Sequence, residues 1–317
     1  MPHTSAQDLK EDVLFRAGEQ NSADWGTKTI DYLNRVYMTL ASGASEFLPE
    51  YVEDWWWMRS EGVLTLEPPI TTGTVAVTDG SASITFSSAP AASVAGYRFK
   101  VEGHPEVFKI ATHTGGATAA TLDSVYTGDD ATAAEYKLMK VEYSLDSSVE
   151  AVIGPMTGFR NNPRIIGLSP ERMDELYPLP DLTTGIPRAF SLENTQTVRF
   201  SHGGRTDGKS MRVEYRYRQS ITDLTDSDSS IPLVPYSWRH VLADMALTYV
   251  YMDKNDDRSN AVALAARTKL AGMLKENRRR LTKMDVTDIG HIYPRGGPGA
   301  ARGGDGILRT ESGLIIG

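Results

Sequence analysis

The sequence contains no cysteine. Disulfides, thiolate metal ligands and a cysteine nucleophile are therefore excluded together, and the redox compartment is left open. No run of roughly eighteen apolar residues occurs, and the opening MPHTSAQDLKEDV has neither a cationic nor an apolar leader segment. The expectation is a chain that neither spans a membrane nor carries a cleaved export signal. The six histidines, at positions 3, 104, 113, 202, 240 and 291, show no H-x-x-x-H spacing and suggest no zinc site. No G-x-S-x-G elbow is present to expose a serine nucleophile. Cations are in deficit: 33 Lys and Arg against 41 Asp and Glu give a net charge of -8. Such a balance argues against a main task of gripping nucleic acid or anionic lipid by charge, although local basic patches are allowed.

What remains is ordinary globular material, with 40% hydrophobic and 23% charged residues in 317. That length corresponds to roughly two domains, or one core with an insertion. The N-terminal quarter reads helical. From Thr4 as N-cap, a first helix places Leu9, Val13 and Ala17 on one stripe and ends near Gly18. A second, from about Ser22 to Ala44, repeats Trp25, Leu33, Val36, Tyr37, Leu40 and Ala44 at spacings of three and four, the pattern of one buried face.

Between Thr71 and Tyr143 the composition shifts to Thr, Ser, Ala, Gly and Val with period-two alternation. TGTVAVTDGSASITF predicts two strands around Asp79-Gly80, a type I′ hairpin dipeptide. GYRFKV, EVFKIA, AATLD and EYKLMKVEY continue the series, so a small antiparallel β module interrupts a helical domain. Ser169-Pro170-Glu171 starts a short helix. A second hairpin, 198–218, sets TVRFSH against MRVEYRYR, where Met211, Val213, Tyr215 and Tyr217 alternate with Arg212, Glu214, Arg216 and Arg218. Helices near 236–252 and 257–283 form an antiparallel pair across the break DKNDDRSN. The last 33 residues hold 9 of the 28 glycines and read as a flexible arm. The expected fold class is therefore α+β: a helical bundle core (1–70 and 144–284) with an inserted β module (71–143), an additional hairpin and a C-terminal arm (285–317).

Several motifs resemble sites without meeting their physical demands. Gly203, Gly208, Lys209 and Ser210 match G-x-x-x-x-G-K-S, but a phosphate cradle needs a helix after the loop, and the alternating MRVEYRYR predicts a strand. The aspartates 253, 256 and 257 with Asn255, and 223, 226 and 228, lack the Gly and Glu of a calcium-binding EF-hand loop. No cofactor is implied. Trp55, Trp56 and Trp57 are consecutive and project in different directions, so one core does not easily bury all three. They wedge the β module against the helices, or one of them, Trp56 being the candidate, meets another subunit or offers a sugar-stacking platform. From Arg258 to Lys283 eight cations face a single acid, Glu276. Helix-dipole complementarity accounts for part of this. The rest marks Arg278, Arg279 and Arg280 as candidates for a subunit interface or a DNA channel, the interface being favoured by the acidic whole. The tail is near neutral, and its Ile307, Leu308, Leu314, Ile315 and Ile316 are apolar groups suited to docking on a partner by strand addition.

Two N-terminal helices, the WWW junction, the insertion from TGTVAVTDGSASITF to ATLDSVYTGDDATAAEYKLMKVEYSL, then GIPRAFSLEN, RVEYRYRQSITDLTDSDSSIPLVP and a helix beginning at Trp238 together resemble the head-to-tail adaptor proteins of tailed bacteriophages. The order is similar to the tail tubular protein A type of podoviruses and covers most of residues 5–283. The resemblance implies a non-enzymatic virion protein, assembled in the host cytoplasm and placed at the neck. It implies a ring of itself, twelve copies in such families, that joins the portal protein to the next tail or nozzle protein. The ring continues the channel for DNA passing without sequence recognition, and no membrane is involved. The arm is then expected to reach onto the portal. The alternative reading is a carbohydrate-binding or other tail structural component that uses the β module.

Overall fold

The computed structural model describes residues 3–52, 54–158, 164–178 and 185–292, with 308–309 and 315–316; of 282–292 and these last two pairs only the backbone is described. The chain divides into two compact units, Met1–Trp56 with Leu224–Gly317, and Trp57–Asp223.

Among the described residues, four α-helices build most of the first unit. Ser5 caps α1 (Ala6–Ala17), its side chain accepting from Asp8 N at 3.2 Å while the Asp8 carboxylate accepts from Ser5 N at 3.3 Å. This reciprocal capping box places the cap one residue after the expected Thr4, whose own N–H also goes to Asp8 at 2.9 Å. Gly18, at φ 74°, closes the other end in the left-handed conformation that glycine adopts without strain. Ser22 caps α2 (Ala23–Ala41), which ends three residues short of the expected Ala44. Two further helices, α4 (Arg239–Asp253) and α5 (Arg258–Ile292), are joined by a short turn in which Asn255 takes φ 52°. Asp256 accepts from Arg258 N at 2.9 Å, and its carboxyl is held at about 2 by the Arg258 side chain and this N–H. The acidic break is thus a turn with a capped helix start. The helix continues to Ile292, beyond the point near Asp285 where the sequence pattern dissolves.

The hub is α4, which packs against α1, α2 and α5. Val241, Leu242, Ala243, Met245, Ala246, Leu247 and Val250 are all buried, as expected of a helix that is apolar on every side. Its one buried carboxylate, Asp244, lies 2.8 Å from Arg16 Nη1 of α1 and pairs with Lys269 of α5. Burial disfavours the Arg16 charge, but the bond and charge of Asp244, helped by Asp12, hold its pKa above the ordinary value.

The second unit is built from strands. The smaller sheet contains β2 (Val75–Val77), β3 (Ser83–Phe86), β4 (Arg98–Val101), β5 (Phe108–His113), β6 (Ala119–Leu122), β7 (Ala131–Ala134) and β8 (Tyr136–Met139), in the order β7-β2-β3-β6-β5-β4-β8. The two terminal strands of that order are consecutive in the chain, with Glu135 alone between them, so the sheet curls into a nearly closed barrel. Phe86, Phe99, Ile84, Ile110 and Leu138 fill it.

The larger sheet contains β1 (Arg59–Leu66), β9 (Glu142–Ser144), β10 (Val149–Gly158), β11 (Arg164–Leu168), β12 (Ala189–Asn194), β13 (Thr197–Phe200) and β14 (Met211–Gln219). Its order is β1-β14-β10-β11-β12-β13-β9. Its two ends also approach: Glu67 N, just after β1, donates to the Tyr143 hydroxyl of β9 at 2.9 Å. Among the described residues, the one parallel pair in these two sheets, β11 with β12, has α3 (Pro170–Leu176) between its strands in the chain. Ser169 caps α3 with Pro170 in its first turn, as expected. Where the chain leaves and re-enters the larger sheet, Lys140 pairs with Glu67 at 2.9 Å, and Glu142 takes Arg98 at 3.1 Å and Lys109 at 2.9 Å. Burial favours a neutral Glu67, but the bonds from Tyr97 and Lys140 hold its carboxyl below the ordinary range.

The expected helical bundle core is therefore corrected. Among the described residues two seven-stranded barrel-like sheets outweigh five α-helices, and the β module interrupts the larger sheet between β1 and β9. Residues 144–223, read as part of an α core, supply most of that sheet. The reason is physical: helices announce themselves locally with period 3.6, whereas β1 meets β14 across about 150 residues of chain through backbone bonds that no local pattern records. The expected hairpin 198–218 is overturned too. Both strands form, but β13 pairs with β12 and β9, and β14 with β1 and β10. Alternation identified the buried face of β14, with Met211, Val213, Tyr215 and Tyr217 inward, and carried no information about its neighbour. At Asp79-Gly80 the hairpin is present with a different turn. Ser81 N bonds Thr78 O at 3.1 Å, and only Gly80, at φ 73°, is left-handed, the arrangement of a type II turn.

Replacing Asp244 by Ala leaves Arg16 and Lys269 facing each other. Urea unfolding should show a loss of about 3 kcal/mol, whereas an Arg16→Met, Asp244→Leu, Lys269→Met triple variant recovers most of it. An unchanged midpoint for Asp244→Ala refutes the role of the buried pair.

Candidate interaction surface of the helical unit

The segment after α2 folds back on itself before reaching the tryptophans. Gly43 takes φ 73° and its carbonyl accepts from Val52 N at 3.1 Å; a Cβ there would run into the Val52 carbonyl. Glycine is required both for the backbone angle and for the close approach. Trp55 is fully buried and donates Nε1 to Leu40 O at 2.7 Å, covering an end carbonyl of α2.

Asn277 anchors the same segment to α5. Its Oδ1 accepts from Trp56 N at 2.9 Å and its Nδ2 donates to Asp54 O at 3.0 Å. Asn277 occupies a position on the buried stripe of Ala266, Leu270, Met273 and Leu274, where its amide is fully used by the backbone it meets. One turn away, Arg280 stacks over the Trp56 ring at 3.8 Å and donates Nε to Glu276 at 2.8 Å. Glu276 also accepts from Trp238 Nε1 at 2.8 Å. The Trp238 bond, then that of Arg280, holds the Glu276 carboxyl below its ordinary range. Arg278 pairs with Glu50 above a cleft lined by Pro49, Glu50, Ala271, Leu274, Lys275 and Arg278.

Of the residues singled out from the sequence, Trp56 and Arg280 are brought together, Arg278 lies beside them on Glu50, and Arg279 is exposed with no ion pair among the described residues. Trp56 is half-buried, and the ring face a sugar would stack on is taken by Arg280. Trp57 is buried and belongs to the other unit, so the boundary falls within the triplet. Ile307 and Leu314 lie outside the described residues. The backbone of Leu308–Arg309 (β15) pairs antiparallel with that of Ile315–Ile316 (β16). The Gly203–Ser210 loop leads into β14, a strand, so it lacks the following helix whose amides would hold phosphates. Missed from the sequence were Asp244 and Asn277. Each interrupts an apolar stripe, and that interruption was the available signal.

What this arrangement does is hold elements and display charge. Among the described residues no three His, Asp or Glu side chains converge as metal ligands, and no helix is long and apolar enough to cross a membrane. The sequence model of the SU10 adaptor protein family matches residues 4–288, taking in both units and nearly all of α5. The chain belongs to this family. No curated protein matches it. The adaptor is thus a phage structural protein, a component of the virion that interacts with other head or tail proteins, and membership implies a non-enzymatic role. Its working parts are accordingly to be sought on surfaces such as this one.

In Asn277→Ala the Trp56 N–H and the Asp54 carbonyl lose their partner, which should cost about 2 kcal/mol in urea unfolding. Arg280→Ala, which removes an exposed stack, should cost under about 1 kcal/mol; equal losses would contradict the difference in burial. Because the Glu276 carboxyl is depressed in the fold, its contribution is complete at neutral pH. That contribution is lost as pH falls below the ordinary glutamate range through the depressed value. Glu276→Gln should flatten this acid limb in a Trp-fluorescence titration.

Proposed function

We propose that this adaptor assembles as a homo-oligomeric ring of twelve copies at the virion neck. The ring joins the portal protein to the next tail or nozzle protein and continues the DNA channel, in the manner of the podovirus tail tubular protein A type. The observation that carries the reading is the family match over 4–288, which spans both units rather than one shared fold element. The displayed charge of α5 and the absence of converging ligands among the described residues are compatible with a protein that works by mating surfaces. The C-terminal residues beyond Ile292 contact the portal through Ile307, Leu308, Leu314, Ile315 and Ile316. DNA passes without sequence recognition.

Mass spectrometry of purified particles should find the chain at the same copy number as the ring beneath the portal, and particle reconstructions should place it there. Its absence from particles, or its presence elsewhere on them, overturns the reading. A chain ending at Ile292 should bind purified portal more weakly than the full chain; equal binding removes the arm's role.

A further inference from the structure

One end of the smaller barrel carries a strap, residues 87–96, that joins β3 to β4. Its two ends are tied down: Ser87 N donates to Thr74 O and Gly96 N to Ile110 O, both at 2.8 Å. Between them only Pro90 and Val94 are buried, and Val94 enters the same core as Phe86 and Ile110. The loop between β5 and β6 lies against the strap. Gly116 N donates to Pro90 O at 2.8 Å, and a Cβ on Gly115 would lie 3.0 Å from Ala91 O.

His113, the last residue of β5, holds this strap by its middle and is itself buried, with 9% exposed. Its backbone carbonyl accepts from Ser93 Oγ at 2.7 Å. Its ring is bonded at both nitrogens: Nδ1 accepts from Val94 N at 3.2 Å, and Nε2 donates to Ala117 O at 3.0 Å. An amide N–H only donates and a carbonyl only accepts, so these partners fix the neutral ring with its proton on Nε2. A second proton would turn Nδ1 into a donor facing the Val94 donor. It would also create a charge where nothing balances it. β3 contributes the Phe86 ring, edge-on at 6.0 Å between centroids, and β6 places Ala120 opposite His113. Residues 83–96 and 114–122, which supply all of these neighbours, include no ionisable side chain. On the strand of His113 itself, Lys109 turns to Glu142 at 2.9 Å. Tyr136, also against Phe86, donates its hydroxyl to Thr72 O at 2.9 Å and is kept neutral by burial.

We propose that His113 is an acid-released latch on the strap. Neutral, it accepts from Val94 N and keeps that side chain in the barrel core; protonated, it expels the strap and opens this end of the module. The device does not depend on the ring of copies. Its direction follows from linkage. With the strap open the ring stands in water and takes up a proton in the ordinary histidine range, about pH 6.5. The closed strap binds only the unprotonated ring, so its advantage is complete above that range and is lost as pH falls below it. One proton per opening limits the slope to about tenfold in the open-to-closed ratio per pH unit. The strap is suited to opening by itself, because it contributes two buried side chains, whereas β3, β5 and β6 are each paired on both sides.

Hydrogen exchange of the full chain, read by mass spectrometry and divided by the intrinsic rate at each pH, tests the latch between about pH 8 and about pH 5. Peptides from the strap should hold steady down to about pH 7 and then accelerate by up to about tenfold per pH unit, while β3 and β6 stay protected. His113→Asn places Oδ1 where Nδ1 stood, so it still accepts from Val94 N and has no proton to gain. Its strap should exchange at a rate independent of pH. Steady exchange in the parent, or the same acceleration in His113→Asn, overturns the latch. Acceleration shared by β3 and β6 overturns it as well, because the whole module is then unfolding. Should His113→Asn fail to fold, nitrogen NMR of the parent chain with isotope-labelled histidine decides, the His113 ring being assigned by through-bond correlation to its backbone. The expected ring is protonated on Nε2 alone at neutral pH and becomes doubly protonated as the strap begins to exchange. A proton on Nδ1 at neutral pH, or double protonation with no faster exchange, refutes the latch.

Discussion

In a helix that is apolar on every side, one buried carboxylate determines how that helix is rotated and which neighbours it accepts. Asp244 plays this part in α4. An isolated charge cannot remain in such surroundings, so the fold must bring Arg16 from α1 and Lys269 from α5 to the same level, and any other rotation of α4 leaves a charge without a partner. Apolar packing alone would tolerate several rotations of a helix so uniformly covered. The pair of cations selects one of them. With α4 so oriented, α2 is left to the side marked by Tyr249 and Asp253, and the outward faces of α2 and α5 are set on opposite flanks.

The strand-built unit answers a different constraint. Open sheets expose unpaired edges that invite unwanted strand addition, and both sheets here curl until their edges approach. In the smaller sheet the chain itself makes the closure, through the single residue Glu135; in the larger one Tyr143 reaches back to Glu67. The same two residues stand at the passage between the sheets, where Lys140, Tyr97 and Glu142 complete the polar contacts. Tyr97 is buried where its hydroxyl meets the partly exposed Glu67. Burial and the adjacent Glu67 carboxylate accordingly hold the Tyr97 phenol well above its ordinary range.

On α5 two requirements are met by one helix because its faces are separable. The inward stripe ends in Asn277, which trades its amide for the backbone of the tryptophan segment, and the outward side carries the surplus cations. Trp56 belongs to neither extreme: its backbone is fixed inward by Asn277 while its ring lies under Arg280 at the surface. For a member of an adaptor family this division is apt, since such a protein works through the surfaces it displays and needs a rigid support for them.

Short-range physics was legible in the residues themselves. The helix starts at Ser22 and Ser169, the left-handed Gly18, the stripes of α2 and α5 and the inward face of β14 all follow from propensities and periods that act within a few residues. So did the cationic excess on the last helix and the oddity of three consecutive tryptophans. Tertiary structure alone decided that β14 lies between β1 and β10, that the inserted module interrupts a sheet instead of a bundle, and that Asp244 and Asn277 are fully employed inside apolar stripes. The division has one cause. Hydrophobic periodicity records whether a side chain is buried, whereas the partner of a strand edge, a carboxylate or an amide is chosen by geometry that exists only once distant segments have met.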